Sequence, residues 1–189
     1  MSKEWWAGDF GNSYTKRNRV DWQLRSLFWN HVICTTGVRS AYEIGCNCGW
    51  NLSAIKLRTP YVCVSGEDVN ESALDQAYAA GLEVYHANAG HHATAELVFT
   101  AGVLIHIPPE ELKEMMLRII DMSCDYVLAV EYAADKEEEV EYRGHAGKLW
   151  RRPFGKLYQE MGLELIEEGK VGANQGFDDC TYWLLRKPA

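Results

Sequence analysis

The run Glu43-Ile44-Gly45-Cys46-Asn47-Cys48-Gly49-Trp50-Asn51-Leu52 restricts the fold more than any other stretch of this chain. An apolar segment ends in an acidic residue, two glycines follow four positions apart, and a helix start comes next. That order places a carboxylate and a backbone-exposing turn at the carboxyl end of a strand, the edge at which open α/β sheets bind ligands. A dinucleotide-binding turn needs G-x-G-x-x-G, whereas the pattern here is G-x-x-x-G with no third glycine. A P-loop is excluded because no G-K-[ST] follows. An acidic residue at the strand end suits a ligand that carries positive charge, since a carboxylate repels a pyrophosphate.

Around this turn, strand and helix patterns alternate. Val20, Leu24, Leu27 and Phe28 recur at helical spacing and predict a helix over 20–34. Residues 40–45 read as a strand, 50–57 as a helix and 61–65 as a second strand. Asn70 is placed to cap a helix that ends at Gly81. Further strands are expected over 82–86 and 96–100. Pro108-Pro109-Glu110-Glu111 starts a helix with proline where its missing N–H costs least. Leu112, Met115, Met116, Ile119 and Ile120 form that helix's buried stripe. Residues 126–131 make a near-continuous apolar strand, as in a sheet buried on both faces. From about 154 the pattern is helix, strand (163–167), loop and strand (180–186). Alternation closed by a strand pair predicts a doubly wound α/β sheet.

The 189 residues suffice for one domain with a buried core, and no repeat or Gly/Ser/Pro linker divides them. A net charge of −8 argues against non-specific binding to nucleic acid or to an anionic membrane. The N-terminus lacks the apolar core of a secretory signal, and no apolar run approaches the roughly 20 residues of a membrane span. A cytoplasmic location is therefore expected. Of the six cysteines, Cys34, Cys63, Cys124 and Cys180 fall in apolar segments, which predicts reduced and mostly buried thiols. Cys46 and Cys48 form a C-x-C without a second pair at zinc-ligand spacing, so no metal site is expected.

The E-I-G-C-N-C-G-x-N-L run resembles motif I of the class I S-adenosylmethionine (SAM)-dependent methyltransferases. In that family the loop backbone cradles the aminopropionyl part of SAM and the acid engages its amino group. The resemblance implies that Glu43, Gly45, Cys46, Asn47, Gly49 and Asn51 hold this part of the cofactor. It also implies a Rossmann-like fold with a seven-stranded, mostly parallel sheet in the order 3-2-1-4-5-7-6 and helices on both faces. One domain would span 1–189, with an N-terminal lid (1–34), a cofactor core (40–131) and a substrate-side segment (132–189). Gly66-Glu67-Asp68-Val69-Asn70 follows the second strand. Asp68 stands 19 residues after Gly49, close to the spacing of about 20 for a ribose-binding acid. Glu67 is its neighbour and rival, but adjacent side chains on an extended segment point oppositely, so one of the two reads ribose. His86-Ala87-Asn88-Ala89 ends the third strand, where the family places a polar group against adenine; Asn88 would take that role although the family often has Asp.

The run 96–107 resembles the family's strand-four motif, D-L-V-x-x-x-x-V-L-x-H-I. Thr100, Gly102 and Val103 would then lie beside the sulfonium, and His106 would be either a general base or a packed residue. His91 and His92 read as a solvated loop pair. Trp6-Ala7-Gly8-Asp9-Phe10-Gly11-Asn12-Ser13-Tyr14-Thr15-Lys16-Arg17-Asn18, Tyr142-Arg143-Gly144-His145 and Leu149-Trp150-Arg151-Arg152-Pro153-Phe154 are similar to the pseudaminic acid biosynthesis-associated methylases. That resemblance implies a place in nonulosonic-acid biosynthesis. Tyr14 and Arg17 would fold over the cofactor, where related enzymes use an N-terminal Tyr or Arg on the SAM carboxylate. Arg143, Lys148, Arg151, Arg152 and Lys156 crowd into 143–156, and arginine forks suit carboxylate or phosphate. Tyr142, Arg143, His145, Arg151 and Arg152 are thus the expected contacts of a small anionic acceptor, a sugar acid, nucleotide-sugar or nucleotide methylated on a hydroxyl or amine. The alternatives are a methyltransferase for a protein or peptide group and a non-catalytic binder of SAM or adenosylhomocysteine.

Overall fold

A computed structural model describes residues 2–18, 20–90 and 94–188; His91 and His92 lie outside the described residues. In chain order the elements are α1 (Ser2–Ala7), α2 (Asp9–Arg17), a 3-10 turn (Trp22–Arg25), α3 (Ser26–Thr36), β1 (Ser40–Ile44), α4 (Trp50–Arg58), β2 (Cys63–Asp68), α5 (Glu71–Ala79), β3 (Glu83–His86) and β4 (Ala95–Ala101). A second 3-10 turn (Leu104–His106) leads to α6 (Pro109–Met122), β5 (Ser123–Glu131), β6 (Glu138–Tyr142), β7 (His145–Arg151), α7 (Phe154–Glu160), β8 (Glu164–Val171) and β9 (Cys180–Arg186).

The main sheet runs β3-β2-β1-β4-β5-β9-β8. Its first five strands are parallel, and β9 is antiparallel to both β5 and β8. With the separate β6–β7 hairpin set aside, this is the expected 3-2-1-4-5-7-6 order. Strand alternation divides the core between two helical layers. Leu97 and Phe99 of β4 pack with Trp29, Ile33, Leu52 and Ile55 on the α3/α4 face. Val98 between them packs with Met116, Ile119, Phe154 and Tyr158 on the α6/α7 face. Each such side chain, buried on both sides of the sheet, contributes roughly 1.5–3 kcal/mol. The register aligns Ile44 with Glu67 and with Thr100, so the carboxyl ends of β1, β2 and β4 share one edge.

Three expectations change. The 20–34 helix is a 3-10 turn followed by α3, which runs on to Thr36 and stops at Gly37, a left-handed cap with φ +70°. The substrate-side segment from 132 carries a hairpin ahead of the helix expected from about 154: β6 has Glu138, Glu139 and Glu141 exposed with Val140 and Tyr142 partly buried, and it pairs with β7. Cys34, Cys63 and Cys124 are exposed, while Cys46, Cys48 and Cys180 are buried, and all six are free thiols. Cys34 is on the exposed face of α3, while Cys63 and Cys124 are the first and second residues of β2 and β5, at the amino-terminal edge of the sheet where the helical layers do not cover them. No helix among the described residues is long and apolar enough to cross a membrane.

Candidate active site

The turn after β1 is tied to the end of β2 through main chain and one carboxylate. Gly45 N and Cys46 N donate to the Glu67 carbonyl at 2.8 and 2.9 Å. Asn47 N and Asn70 N donate to the two oxygens of Asp68, each at 2.8 Å. Gly45 has φ +74°, and a Cβ there would stand 2.5 Å from Val103 Cγ2. Only glycine satisfies both the left-handed backbone and that approach. Gly49, at φ +75°, begins α4 under the same restriction, with Leu82 Cδ1 against it.

Glu67 and Asp68 face opposite ways. Glu67 is buried, receives a two-pronged hydrogen bond from Arg118 at 2.6 and 2.7 Å, and accepts from the Tyr42 hydroxyl. Its oxygens are committed to the α6 face. Asp68 lines the cavity described below. Burial pushes its carboxyl up, and N–H bonds from Asn70, Asn47 and Val69 oppose that rise.

Glu43, at the end of β1, is fully buried. Its Oε1 accepts from Asn51 Nδ2 at 2.6 Å, and its Oε2 has no partner. Arg25 Nη1 and Trp29 Nε1 both donate to Asn51 Oδ1, which fixes the orientation of the Asn51 amide and makes its NH2 the donor to Glu43. Burial raises the Glu43 carboxyl to about 8, against the Asn51 bond and the Arg25 charge. Arg25 is anchored by its Nε on the Gly176 carbonyl and lies over the Phe177 ring. No sequence pattern points to Arg25, because its partners stand 26 and 151 positions away.

These groups open on a cavity of about 630 Å³. α1 and α2 form its roof. Asn70 Nδ2 donates to the Trp6 carbonyl and to Asn12 Oδ1, and Asn47 Nδ2 donates to Thr15 Oγ1, so the roof hangs from one asparagine in each of the loops after β1 and β2. Trp5 and Phe10 on the roof pack against Tyr142 and His145 of the hairpin.

The segment 102–107 forms the wall beside the turn. Glu131, fully buried at the end of β5, accepts from Val103 N and Leu104 N at 3.2 Å and from Ile105 N at 3.3 Å. Burial raises its carboxyl to about 7, and those N–H bonds with Thr100 hold it lower than burial alone would. Sequence reading missed this carboxylate, although it ends β5 much as Glu43 stands next to the last residue of β1. Arg152 holds the same segment from the other side: Nη1 donates to the carbonyls of Leu104 and Ile107, and Nε pairs with Glu137. His106 is buried between the rings of Trp6 (4.7 Å) and Tyr142 (4.9 Å). Its Nδ1 lies 2.6 Å from the Lys148 carbonyl, which can only accept. The proton is therefore on Nδ1 and the lone pair on Nε2. Burial lowers the ring to about 4, so it is neutral at pH 7.

Of the expected site residues, Tyr14, Glu43, Gly45, Cys46, Asn47, Asn51, Asp68, Gly102, Val103, His106, Tyr142 and Arg143 all border this cavity. Seven others stand elsewhere. Gly49 caps the start of α4 behind the turn, against Leu82, and does not border the cavity. Asn88 is exposed in the turn after β3, and Ala87 borders the cavity in its place. Thr100 points into the sheet toward Glu131, opposite in phase to Ala101. Arg17, in the last turn of α2, is exposed and lies over the Phe10 and Tyr14 rings. His145 packs outside against the roof, and Arg151 is exposed. Arg152 is only 1 % exposed, and its bonds go to protein carbonyls and Glu137. The basic cluster of 143–156 thus does not assemble: Arg143 alone of it reaches the cavity, while Lys148 lies over Trp5 and Lys156 pairs with Glu160.

No protein-family model and no curated protein matches the chain. Solved structures do match in fold. Magnesium protoporphyrin IX methyltransferase from Synechocystis PCC 6803, with bound SAM, aligns over 100 % of this chain and 98 % of its own at 13 % identity and a TM-score of 0.67. The 1,6-didemethyltoxoflavin-N1-methyltransferase of Burkholderia thailandensis, with 1,6-didemethyltoxoflavin and S-adenosylhomocysteine, aligns over 96 % and 86 % at 14 % identity and 0.73. An O-methyltransferase family protein from the same species aligns over 100 % and 63 % at 12 % identity and 0.67. The fold is that of the class I methyltransferases.

Proposed function

We propose that this chain is a SAM-dependent methyltransferase acting on a small-molecule acceptor enclosed beneath the N-terminal helices. One observation carries the reading: a buried, half-satisfied carboxylate (Glu43), a glycine turn and Asp68 border one cavity at the carboxyl edge of β1, β2 and β4. Glu43 Oε2 is a vacant acceptor in a place without water's dielectric, and an ammonium group satisfies it. Asp68 retains lone pairs for two ribose hydroxyls beyond the two main-chain N–H groups it already holds.

In this reading the backbone of Gly45, Cys46 and Asn47 cradles the aminopropionyl part, and Glu43 with Asn51 receives its ammonium. Arg25 takes the carboxylate role first assigned to Arg17, with Tyr14 above it. Gly102 and Val103 flank the sulfonium, with Glu131 and Arg152 keeping that segment rigid. Adenine lies beside Val69 and Ala87. The methyl group moves by in-line displacement from an activated donor, so alignment and exclusion of water supply most of the acceleration. His106, neutral with its lone pair on Nε2, accepts a hydrogen bond from the acceptor.

The acceptor's identity as a sugar acid rests on the resemblance alone. Lys3 and Arg143 border the cavity, but so do Asp21 and Asp178, which leaves its mouth near electrical balance. A protein substrate fits poorly under a roof closed by Trp6 and Asn12. Calorimetry with SAM and with NAD tests the central reading: SAM binds and NAD does not, and the reverse result removes the proposal.

A further inference from the structure

Beyond the cofactor turn, the cavity continues into a chamber with aromatic walls. Trp6 packs at 5.2 Å from Tyr14 and at 4.7 Å from His106, and Tyr142 stands 4.9 Å from the same His106 ring. Tyr132 closes a further side, its hydroxyl donating to Asp178 Oδ2 at 2.9 Å. All of these residues border the one cavity. They come from four separate parts of the chain, α1 and α2, the 3-10 turn before α6, the end of β5 and the hairpin tip, and converge only in the fold.

The chamber offers flat apolar faces and no strong base. His106 has its ring neutral, with a basicity reduced by burial to about 4. Asp178 is engaged by the Tyr132 hydroxyl, Glu131 is turned away onto three N–H groups, and the Tyr14 hydroxyl is raised to about 12. A base this weak cannot take a proton from an alkyl alcohol or an ammonium ion at a useful rate, since efficient transfer needs a pKa near the working pH.

We infer that the chamber takes a small planar aromatic acceptor that brings its own nucleophile, a readily ionised phenol or a heteroaromatic ring nitrogen, held among Trp6, Tyr14 and Tyr142, with a separate N–H or O–H of the ligand, where it has one, donating to His106 Nε2. This rests on the methyltransferase reading above and specifies its acceptor. In the transfer, a lone pair of the phenolate oxygen or ring nitrogen forms the bond to the methyl carbon as the carbon–sulfur bond breaks. The bonding pair stays on sulfur, giving neutral adenosylhomocysteine. A phenolate becomes a neutral ether, and a ring nitrogen becomes a cation that sheds any N–H proton to water after release. Ring stacking against several aromatic walls supplies binding without a charged partner.

The test uses the full chain saturated with adenosylhomocysteine and titrated by calorimetry with 7-hydroxycoumarin, 4-nitrophenol and benzimidazole, and separately with glucuronic acid and ethanolamine. At least one aromatic probe is expected to bind at least tenfold more tightly than either of the others. Tyr142→Leu and, independently, Trp6→Leu should weaken that probe about tenfold and leave adenosylhomocysteine affinity unchanged. With SAM as donor, the pH profile of methyl transfer should follow the ionisation of each phenol and shift from one phenol to the next. Tighter binding of glucuronic acid or ethanolamine, no binding by any aromatic probe, or one enzyme-set pH profile shared by all phenols overturns the inference while leaving cofactor binding intact. Failure to bind adenosylhomocysteine at all overturns the methyltransferase reading itself, and the inference with it.

Discussion

Glu43→Gln separates the electrostatics of the cofactor turn from its shape. The Glu43 carboxyl is fully buried and raised to about 8 from an ordinary 4.5. Between those two values the folded state holds a proton that the unfolded state has lost, so stability falls as pH rises through the window. That gap corresponds to roughly 5 kcal/mol, complete above pH 8, with roughly 3 kcal/mol already lost at pH 7. The Gln side chain keeps an acceptor for Asn51 Nδ2 and removes the titration. It places an amide NH2 where Oε2 now has no partner, at a cost of about 1–3 kcal/mol. The variant should therefore match or fall below the parent in stability at pH 5 and exceed it by roughly 2–4 kcal/mol at pH 8. Urea unfolding of both proteins at pH 5, 6, 7 and 8 reads this directly. Glu131, raised to about 7, titrates in both proteins and cancels in the difference. Binding of the SAM ammonium should also expel the Glu43 proton. At pH 7 close to one proton per site should appear in calorimetry repeated in buffers of different ionisation enthalpy, and none from this group in the variant. A stability difference independent of pH would refute the reasoning, since it would mean that Arg25 keeps Glu43 ionised despite its burial.

Three further substitutions probe the rest of the site. Asp68→Asn replaces one carboxylate oxygen with an NH2 that confronts a main-chain N–H of Asn47 or Asn70; losing that charge-assisted bond and the ribose contact should weaken SAM binding by roughly 1.5–3 kcal/mol in calorimetry, and unchanged affinity would remove the ribose assignment. Gly45→Ala forces a side chain into a left-handed backbone, a cost of about 1–2 kcal/mol before its contact with Val103 Cγ2, and should lower the urea midpoint and SAM affinity together. Arg152→Met leaves the Leu104 and Ile107 carbonyls without their buried donor and Glu137 without its partner; stability should drop by roughly 2–5 kcal/mol and kcat should fall with the acceptor KM unchanged, whereas a raised KM alone would return Arg152 to substrate binding.

The sequence disclosed the parts of this protein that are governed by short-range rules. A turn needing glycine at two left-handed positions, a proline at the start of α6 and an asparagine cap on α5 are each decided within a few residues, and each stands where its pattern predicts. Arg25 and Glu131 were invisible because their meaning is long-range: one is aimed by a carbonyl near the C-terminus, the other receives N–H groups some 26–28 positions earlier in the chain.

Two adjacent pairs show how the same physics can be used or missed. Glu67 and Asp68 alternate as their strand requires: both residues border the cavity, but the Glu67 carboxylate is committed to Arg118 while the Asp68 carboxylate holds Asn47 N and Asn70 N at the turn. Arg151 and Arg152 were read as one cationic patch because the hairpin carrying them was not recognised. Alternation continues past the end of the strand: Arg151, the last residue of β7, faces water, and Arg152, in the bridge to Ala133 that follows, is buried under the 102–107 segment as a support for its carbonyls. A run of cations therefore says little about a substrate until its backbone period is known. On a strand, half of such a run turns away from any one surface. Here Arg152, the residue turned inward, spends its guanidinium on the Leu104 and Ile107 carbonyls and on Glu137, and has nothing left for an acceptor's charge except one buried Nη2.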